Sequence, residues 1–417
     1  MEKQNKKILI YDFGLCTSVA EKLAQQGNEV YYFCPWENAF PKSSLAVIGE
    51  GLDGVERVRD FWDWVDKVDQ IHFYDTFCSD IEGFLRKKGY KVFGAGESEI
   101  LENNRWKSRE VQQAVGLPTQ HTVLIEGIED LIEFLKENKN KVIKLNTFRG
   151  DIETFKHKEY DTTEAQYLGE LMLNLGAKGK KVEFIAEDFI EGVEPGYDGF
   201  CIDGEYPAWA MFGYERKGTG YIGKVARYDE LPEPIRLVNE KLKPVFKKFS
   251  PIRSFFSTEI RVGKDKKPYL IDPCVRSPMP VPTAIHLEIW DNISDFLVNA
   301  AEGKMIELKP KAKYGAGICF ESDWAGNHWT EIKFDEKYRD FIKLRMACKI
   351  DGRYYALPGF TSLGSVVGLG NTIQEAIDNV KKVADTLEVK ELNYSISGLE
   401  NIVKEDIPEG KKYGIEF

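Results

Sequence analysis

The first 96 residues alternate short apolar segments with amphipathic ones. Four apolar runs have the length of strands: 7–11, 29–33, 70–74 and 91–93. Between them, 17–25 and 80–88 have the periodicity of helices, and the second of these stops before Gly89. Strands separated by helices predict a parallel sheet with crossover connections, and so a small α/β domain of the Rossmann-like type. Only one glycine follows the first strand, so the glycine-rich phosphate loop of dinucleotide-binding domains is missing and we do not expect a dinucleotide ligand.

The pattern changes after Gly94-Ala-Gly96, which predicts a domain boundary there. Beyond it, we predict helices at 99–115, 237–248 and 285–301, and strands at 140–145 and 181–185. A linker at 304–313 then precedes short strands, a glycine-rich stretch at 358–370 and a helix at 372–387. The predicted domains are therefore 1–96, 97–305 and 306–417.

Composition narrows the functional classes. A chain of 417 residues is too long for one core, and 42% hydrophobic with 30% charged residues is typical of a soluble globular protein. No run approaches the ~18–20 apolar residues that span a bilayer, and the N-terminus lacks a signal peptide's apolar stretch. Seven cysteines without a CxxC pair favour reduced thiols in a cytosol. The net charge of −11 argues against a nucleic-acid partner. We expect a cytoplasmic protein, monomer or homodimer, that acts on small molecules.

Two acidic residues lie on neighbouring apolar segments with a short turn between them. They are Glu259 and Asp272, and the second is followed by Cys274 and Arg276 in alternate positions. Antiparallel strands joined by a tight turn place such carboxylates side by side, with the arginine on the same face. Isolated acidic residues on hairpins are usually solvated, but carboxylate pairs also suit Mg²⁺ bound to nucleotide phosphates, and arginine suits a phosphoryl group. We predict that Glu259 and Asp272 are metal ligands and that Arg276 is catalytic.

Lys144 emerges from the apolar strand at 140–145. A lysine in that position can hold the α- and β-phosphates of a nucleotide as a point charge, or it can be a solvated residue at a strand end. The following loop, 146–151, could fold over phosphates through backbone N–H groups, Thr147 and Arg149. We predict Lys144 as a catalytic and nucleotide-binding residue and Arg149 as a second phosphate ligand.

An acidic segment at 186–194 has the composition of a linker between two lobes. An adenine in a cleft needs one backbone acceptor for its amino group and one backbone donor for N1. We predict that Glu187, Asp188, Phe189 and Ile190 supply these groups and that Glu194 binds the ribose hydroxyls. An acidic surface strand and turn is the alternative interpretation.

Taken in order, these segments resemble those of the ATP-grasp superfamily, and within it phosphoribosylamine–glycine ligases and biotin-carboxylase-like ligases. Segment 187–194 resembles that family's hinge, 218–223 its Thr-Gly-Gly-Met-Gly loop, 271–276 its Glu-x-Asn-x-Arg strand, and 364–376 its closing segment. The resemblance implies an α/β fold class with α+β grasp lobes. It also implies a Rossmann-like pre-ATP-grasp domain, a mobile lobe at about 119–188 and a small C-terminal α+β domain.

The resemblance also has departures. Where the family has its first ATP-contacting lysine, this chain has Arg105, with Lys107 nearby, and we expect Arg105 to bind the nucleotide with Lys107 as the alternative. Asp272 replaces a glutamate. Cys274 replaces the asparagine that completes a second metal site, and a thiol is a poor ligand for a hard cation.

The leading functional interpretation is therefore an ADP-forming ligase that joins a carboxylate to an amine through an acylphosphate, with ATP and Mg²⁺ as cofactors and Mn²⁺ as an alternative ion. A catalytically inactive nucleotide-binding protein, which Cys274 favours, stays open as a second class. An ATP-dependent carboxylase is disfavoured because no Met-Lys-Met biotinyl motif occurs.

The amine partner is predicted from the N-terminal domain. Asp12, Tyr74 and Asp75 end its strands, and carboxylates there would repel a phosphorylated sugar. These side chains suit an amine or a polyol as substrate. The alternative interpretation is that they cap the helices that follow.

Overall fold

The structure is a computed structural model that describes residues 5–35, 47–147, 154–249 and 251–417. The chain begins with a five-stranded sheet in the order β3-β2-β1-β4-β5, in which every neighbouring pair is parallel. Its elements are β1 Lys7–Tyr11, α1 Thr17–Gln25, β2 Glu29–Phe33, β3 Val55–Arg57, β4 Gln70–Phe73, α2 Ser79–Lys87 and β5 Val92–Phe93.

This first unit confirms the predicted parallel α/β arrangement. The bounds of β1, α1 and β2 match the predicted ones; β4 and β5 differ by one residue at one end, and α2 by one residue at each end. Strand β3 was not predicted, because three residues with two charges carry no hydrophobic pattern.

Two short helices follow, α3 Ile100–Asn103 and α4 Arg105–Ala114. The prediction of one helix over 99–115 was wrong, because Asn104 has extended backbone angles and its side chain accepts a hydrogen bond from the Lys107 N–H (2.8 Å). Asn104 is thus an N-cap, which satisfies an amide at the start of α4. The break turns Arg105 inward, where only 5% of the residue is exposed.

A four-stranded antiparallel sheet forms the next unit, which we call the N-lobe. Its order is β6-β9-β7-β8, and its elements are β6 Thr122–Glu126, α5 Ile128–Glu137, β7 Lys141–Leu145, β8 Phe155–His157, α6 Thr162–Leu175 and β9 Glu183–Asp188. The apolar faces of both helices pack on this sheet in a core of their own, separate from the main core of the molecule. The N-lobe coincides with the segment predicted to be mobile, which stays a prediction.

A ten-stranded sheet forms the centre of the molecule. Its path is β10-β14-β11-β12-β13-β16-β21-β18, with β15 paired to β14 and β22 paired to β16. The elements up to residue 301 are β10 Gly192–Val193, β11 Pro195–Ile202, β12 Trp209–Arg216, β13 Gly220–Arg227, α7 Glu233–Phe249, β14 Arg253–Gly263, β15 Pro268–Cys274, α8 Val281–Ile289 and α9 Ile293–Ala301. The single helix predicted over 285–301 is two helices, α8 and α9, separated at Trp290.

The C-terminal part completes the same sheet, because β16 pairs with β13. It comprises β16 Tyr314–Ser322, β17 Thr330–Ile332, β18 Ile342–Leu344, β19 Ala347–Ile350, β20 Arg353–Ala356, β21 Ser362–Gly370, α10 Ile373–Ala384, β22 Leu392–Tyr394, α11 Ser397–Asn401 and α12 Ile407–Lys412. Among the helices of the described ranges, none has both the length and the apolar character needed to cross a bilayer.

Candidate active site

Two cavities meet on one face of the central sheet. The hinge cavity, of about 300 Å³, lies between the N-lobe and the strands β14 and β15. The sheet cavity, of about 130 Å³, lies over β11, β12 and β14 and is bordered by the segment that follows β15. The two share four lining residues: Glu194, Lys217, Glu259 and Asp272. A ligand in one cavity would therefore contact the same carboxylates as a ligand in the other.

The predicted carboxylate pair lies at this junction. Glu259 and Asp272 are direct partners across β14 and β15, next to a bulge in the pairing. Directly opposed residues in an antiparallel pair share a face, so both carboxylates project toward the cavities. Strand β15 ends at Cys274, so Arg276 lies beyond the strand rather than on it, although it lines the sheet cavity.

Lys144 and Arg105 converge on Asp272. The Lys144 ammonium lies 2.8 Å from the Asp272 carboxylate, and Arg105 Nε lies 3.9 Å from it. Burial opposes ionisation of Asp272, but Lys144, Arg105 and Arg109 outweigh it and hold the pKa of the carboxyl below its usual range. Lys144 and Arg105, both predicted to bind phosphate, thus neutralise Asp272, which is predicted to bind metal. In a complex with metal and nucleotide, the metal ion could take the place of these cations at Asp272, and the phosphates could take the place of Asp272 at the cations.

A buried ion pair that sequence reasoning missed joins α4 to β9. Arg109 is 2% exposed and donates to both carboxylate oxygens of Glu187, at 2.5 Å and 3.1 Å, and to the Ile271 carbonyl at 2.7 Å. Burial raises the pKa of Glu187, but Arg109 and Lys144 outweigh it and the net shift is downward. The pair links the N-lobe, α4 and β15 behind Lys144. The only sequence signal for this ion pair would have been the position of Arg109 on the inward face of α4. That signal is weak, because other charged residues lie close to Arg109 in the sequence.

The linker between the lobes is shorter than predicted, because Glu187 and Asp188 belong to β9. The N–H groups of Asp188 and Phe189 donate to the carbonyl oxygens of His121 (3.0 Å) and Asn140 (3.2 Å). Those two donors are used within the N-lobe. All four residues predicted to contact adenine nevertheless line the hinge cavity: Glu187, Asp188, Phe189 and Ile190.

Arg261, which was not predicted, lies in the hinge cavity beside the linker. Its guanidinium donates to the Ile190 carbonyl (3.1 Å), forms an ion pair with Glu194, and lies 5.3 Å from the centre of the Phe189 ring. The predicted ribose ligand Glu194 is therefore held by an arginine of β14. Arg261 is the alternate residue after Glu259, so the strand period places both on one face.

Arg276 is held by two carboxylates at the edge of the sheet cavity. Its Nε lies 2.7 Å from Glu102 and 3.8 Å from Asp75. Burial lowers the pKa of Arg276, but the nearby Cys274, Glu102 and Asp75 outweigh this effect, so the guanidinium stays charged. The arginine is thus a preorganised cation beside the carboxylate pair.

Asp198 lies at the floor of the sheet cavity, on the central strand β11. Only 4% of the residue is exposed, and its carboxylate accepts a hydrogen bond from the Tyr221 hydroxyl at 2.5 Å. Burial raises the pKa of Asp198 to about 7; the Tyr221 hydrogen bond opposes this and the nearby Glu259 adds to it.

One predicted nucleotide ligand is not brought into the site. The prediction of Lys107 as an alternative ligand is not supported, since its ammonium lies on the exposed side of α4, 2.8 Å from Glu110. Helix periodicity places it away from Arg105 and Arg109. Arg149 lies outside the described residues.

The carboxylates at the strand ends of the first sheet are held by local contacts, although neither α1 nor α2 has a side-chain hydrogen bond at its N-cap. Asp12 is fully buried and accepts hydrogen bonds from the N–H groups of Gly14 (2.9 Å) and Cys16 (2.8 Å) just before α1, as well as from Tyr32. Asp75 is 3% exposed. Asp12 therefore has a local structural role.

The donor set fits Mg²⁺ only together with phosphate. Glu259 and Asp272 supply carboxylate oxygens, which suit a hard cation. Burial raises the pKa of the Cys274 thiol to about 12, so it is no substitute for an oxygen ligand. Within the described ranges, no three Asp, Glu, His or Cys side chains are grouped so that they could hold a metal alone. The remaining ligands would have to come from a nucleotide and from water.

The sequence matches no protein-family model and no curated protein. Solved structures do match, over nearly the whole chain. Phosphoribosylamine–glycine ligase from Thermotoga maritima aligns with a TM-score of 0.70 at 16% identity, covering 94% of this chain and 99% of that one. The biotin carboxylase domain of Hydrogenobacter thermophilus 2-oxoglutarate carboxylase, in complex with MgADP and bicarbonate, gives 0.64 at 15% identity, covering 99% and 97%.

The chain has the ATP-grasp ligase fold. L-amino acid ligase from Bacillus licheniformis is a further similar structure, with a TM-score of 0.60, 17% identity, and coverage of 94% of this chain and 100% of that one. At such identities the similarity establishes the fold, so the predicted fold class is confirmed. Chemistry has to be argued from the site.

Proposed function

We propose that this ATP-grasp protein is an ADP-forming ligase that joins a carboxylate to an amine. The observation that carries the proposal is the junction of the two cavities at Glu259 and Asp272. A nucleotide in the hinge cavity and a small substrate in the sheet cavity would meet there, within reach of Lys144, Arg105 and Arg276.

The hinge cavity offers a consistent nucleotide position. Val142 of the N-lobe and Ile271 of β15 line it from opposite sides and could hold the faces of adenine, whose edge would meet the linker at Ile190. Glu194, held by Arg261, would accept hydrogen bonds from the ribose hydroxyls. The phosphates would then lie toward Lys144 and Arg105.

The chemistry needs charge stabilisation rather than a nucleophilic side chain. A substrate carboxylate oxygen attacks the γ-phosphorus of ATP, ADP leaves, and an acylphosphate results. An amine then attacks the acyl carbon, the carbon–oxygen bond to phosphate breaks, and the amine loses a proton as the amide forms. Lys144, Arg105 and Arg276 oppose the charge that develops on the phosphoryl oxygens. Mg²⁺, when bound by Glu259 and Asp272, would neutralise part of the same charge.

ADP release, measured with MgATP and a panel of carboxylates and amines, tests the proposal. We expect ADP and an amide in equal amounts for at least one pair, and none with Asp272→Asn. ADP release that persists in Asp272→Asn would show that the reaction does not use this site.

A second candidate is a nucleotide-binding protein without ligase activity. Cys274 favours it, because only two carboxylates then remain for metal. Tight MgADP binding by wild-type protein, together with no ADP release across the whole panel, would support this candidate over the ligase.

We further propose that the amine differs from phosphoribosylamine. At the strand ends Asp12 is held by backbone N–H groups, and Asp75 together with Glu102 already faces Arg276, so these positions offer no additional cation to a sugar phosphate. Efficient formation of glycinamide ribonucleotide from phosphoribosylamine, glycine and ATP would refute this substrate assignment.

A further inference from the structure

The floor of the sheet cavity is built from glycines on neighbouring strands. Gly196 of β11 pairs with Gly213 of β12, which pairs with Gly223 of β13. A Cβ at Gly213 would lie 2.7 Å from the Tyr221 hydroxyl, so only glycine allows this phenol to cross β12 and reach Asp198. The glycines thus leave room above the strands for the Tyr221 hydroxyl, where larger side chains would otherwise lie.

Asp198 is a buried carboxylate that no ion pair neutralises. Within the part of the chain that the structure describes, it lies within 4 Å of no lysine, arginine or histidine nitrogen, and its one hydrogen bond comes from Tyr221. Burying a carboxylate without a cation is costly. A positive ligand group in this cavity would therefore stabilise the ionised form of Asp198.

The immediate neighbours of Asp198 on the adjoining strands are polar or acidic side chains. Ser257 is its direct partner on β14, and Glu215 on β12 shares the face of Tyr221. The cations that line the cavity face other carboxylates: Arg105 lies 3.9 Å from Asp272, Lys217 lies 3.5 Å from Glu259, and Arg276 lies 2.7 Å from Glu102. The positive charges thus lie beside the metal and phosphate end, and the floor is left acidic.

We propose that the sheet cavity binds a small substrate through its protonated primary amine, with Asp198 as the counter-ion and Ser257 as a neighbouring polar group. This inference deepens the proposed function, on which it rests. Asp198 and Glu259 are diagonal neighbours on adjacent strands, roughly 7 Å apart. A molecule the size of an amino acid spans that distance, so it can present its other end to the carboxylate pair while its ammonium group contacts Asp198.

The ammonium group can belong to the carboxylate that is activated, or to the amine; in the second case the nitrogen must give up a proton and leave Asp198 before it attacks the acyl carbon. Product analysis separates the two cases. If the amine becomes the amide nitrogen, it is the acceptor; if it survives in the product as a free amine, it belongs to the activated acid.

The test uses the full chain and matched pairs of probes that differ only in the amine: the common α-amino acids against their α-hydroxy acids, and ethylamine against ethanol. ADP release and direct binding by calorimetry are measured for each probe. We expect response to members that carry an ammonium group only. In Asp198→Asn, which keeps the shape and the Tyr221 contact, we expect KM or Kd for the active probe to rise about 10-fold or more, with KM for ATP unchanged.

Asp229→Asn, at an exposed aspartate, is the control and should leave both constants unchanged. Equal response to hydroxy and amino probes, or an unchanged KM in a folded Asp198→Asn protein, would overturn the inference while the ligase proposal stands. Conversely, amine binding that depends on Asp198 in a protein that binds no nucleotide would support the subsite and refute the proposed function.

Discussion

Lys144→Ala tests the predicted phosphate contact most directly. In the structure, the Lys144 ammonium lies 2.8 Å from Asp272 and 3.7 Å from Glu187, and its side chain is 6% exposed. Its removal leaves Asp272 near Arg105 and leaves Glu187 paired with Arg109, so the variant should fold. If the ammonium moves onto the nucleotide phosphates, its loss removes a charged hydrogen bond.

A charged hydrogen bond contributes about 1.5–3 kcal/mol, which corresponds to an increase of roughly 10- to 150-fold in Kd. Calorimetric titration with MgADP measures this value directly. Lys107→Ala provides the matched control, since that lysine lies on the exposed side of α4 and pairs with Glu110. We expect its Kd to equal that of the wild type.

Two results would refute the reasoning. One is an unchanged Kd for MgADP in a Lys144→Ala protein that melts cooperatively. The other is an equal loss in Lys107→Ala and Lys144→Ala, which would indicate a general effect of surface charge rather than a contact in the hinge cavity.

Three further predictions concern metal, stability and pH. Asp272→Asn should abolish turnover with the fold intact, whereas Cys274→Asn, which restores an oxygen ligand, should keep or raise it. Arg109→Leu should destabilise the protein by about 3–5 kcal/mol in urea unfolding, because Glu187 loses its bidentate partner, and adding Glu187→Leu should recover much of that loss. His72 is buried and neutral, with its pKa lowered to about 3 by burial. The unfolded chain alone takes up this proton below about pH 6.5, so stability is present above that pH and is lost as pH falls, by about 1.4 kcal/mol at pH 5.5.

Each of these has a contrary outcome. A large loss of activity in Cys274→Asn would mean that the thiol has a role of its own. A double variant as unstable as Arg109→Leu alone would show that the unpaired carboxylate is not the cause. For pH, a His72→Gln protein with the same dependence of unfolding free energy between pH 7.5 and 5.5 as the wild type would exclude His72 as a contributor.

Local patterns were enough to predict much of the architecture. In the first sheet, alternating apolar runs and helical periodicity predicted β1, α1 and β2 with the correct bounds. The opposed carboxylates at Glu259 and Asp272 were likewise predictable, because a short turn between two strands determines which residues pair. The predicted fold class followed from the order of these segments and is confirmed by the structural similarity.

Other elements required the tertiary structure. The break at Asn104 depends on one capping hydrogen bond, which periodicity does not register. Arg109 and Glu187 are 78 positions apart, and only the packing of α4 against β9 makes them a buried pair. The N–H groups of Asp188 and Phe189 donate to backbone carbonyls of other N-lobe segments, so these two donors of the predicted hinge are already used. The sequence alone does not show those hydrogen bonds.

By itself, therefore, the sequence determined β1, α1 and β2 of the first sheet, the position of the carboxylate pair and the strand lysine, since each depends on contacts between residues close in the chain. Only the tertiary structure decided which charges neutralise one another, that Arg261 holds Glu194, that Lys107 points away, and that Asp198 lies in the sheet cavity without an ion-pair partner among the described residues. The physical reason is that burial and ion pairing arise from segments far apart in sequence, whose approach is determined by the packing of sheets and lobes rather than by any local pattern.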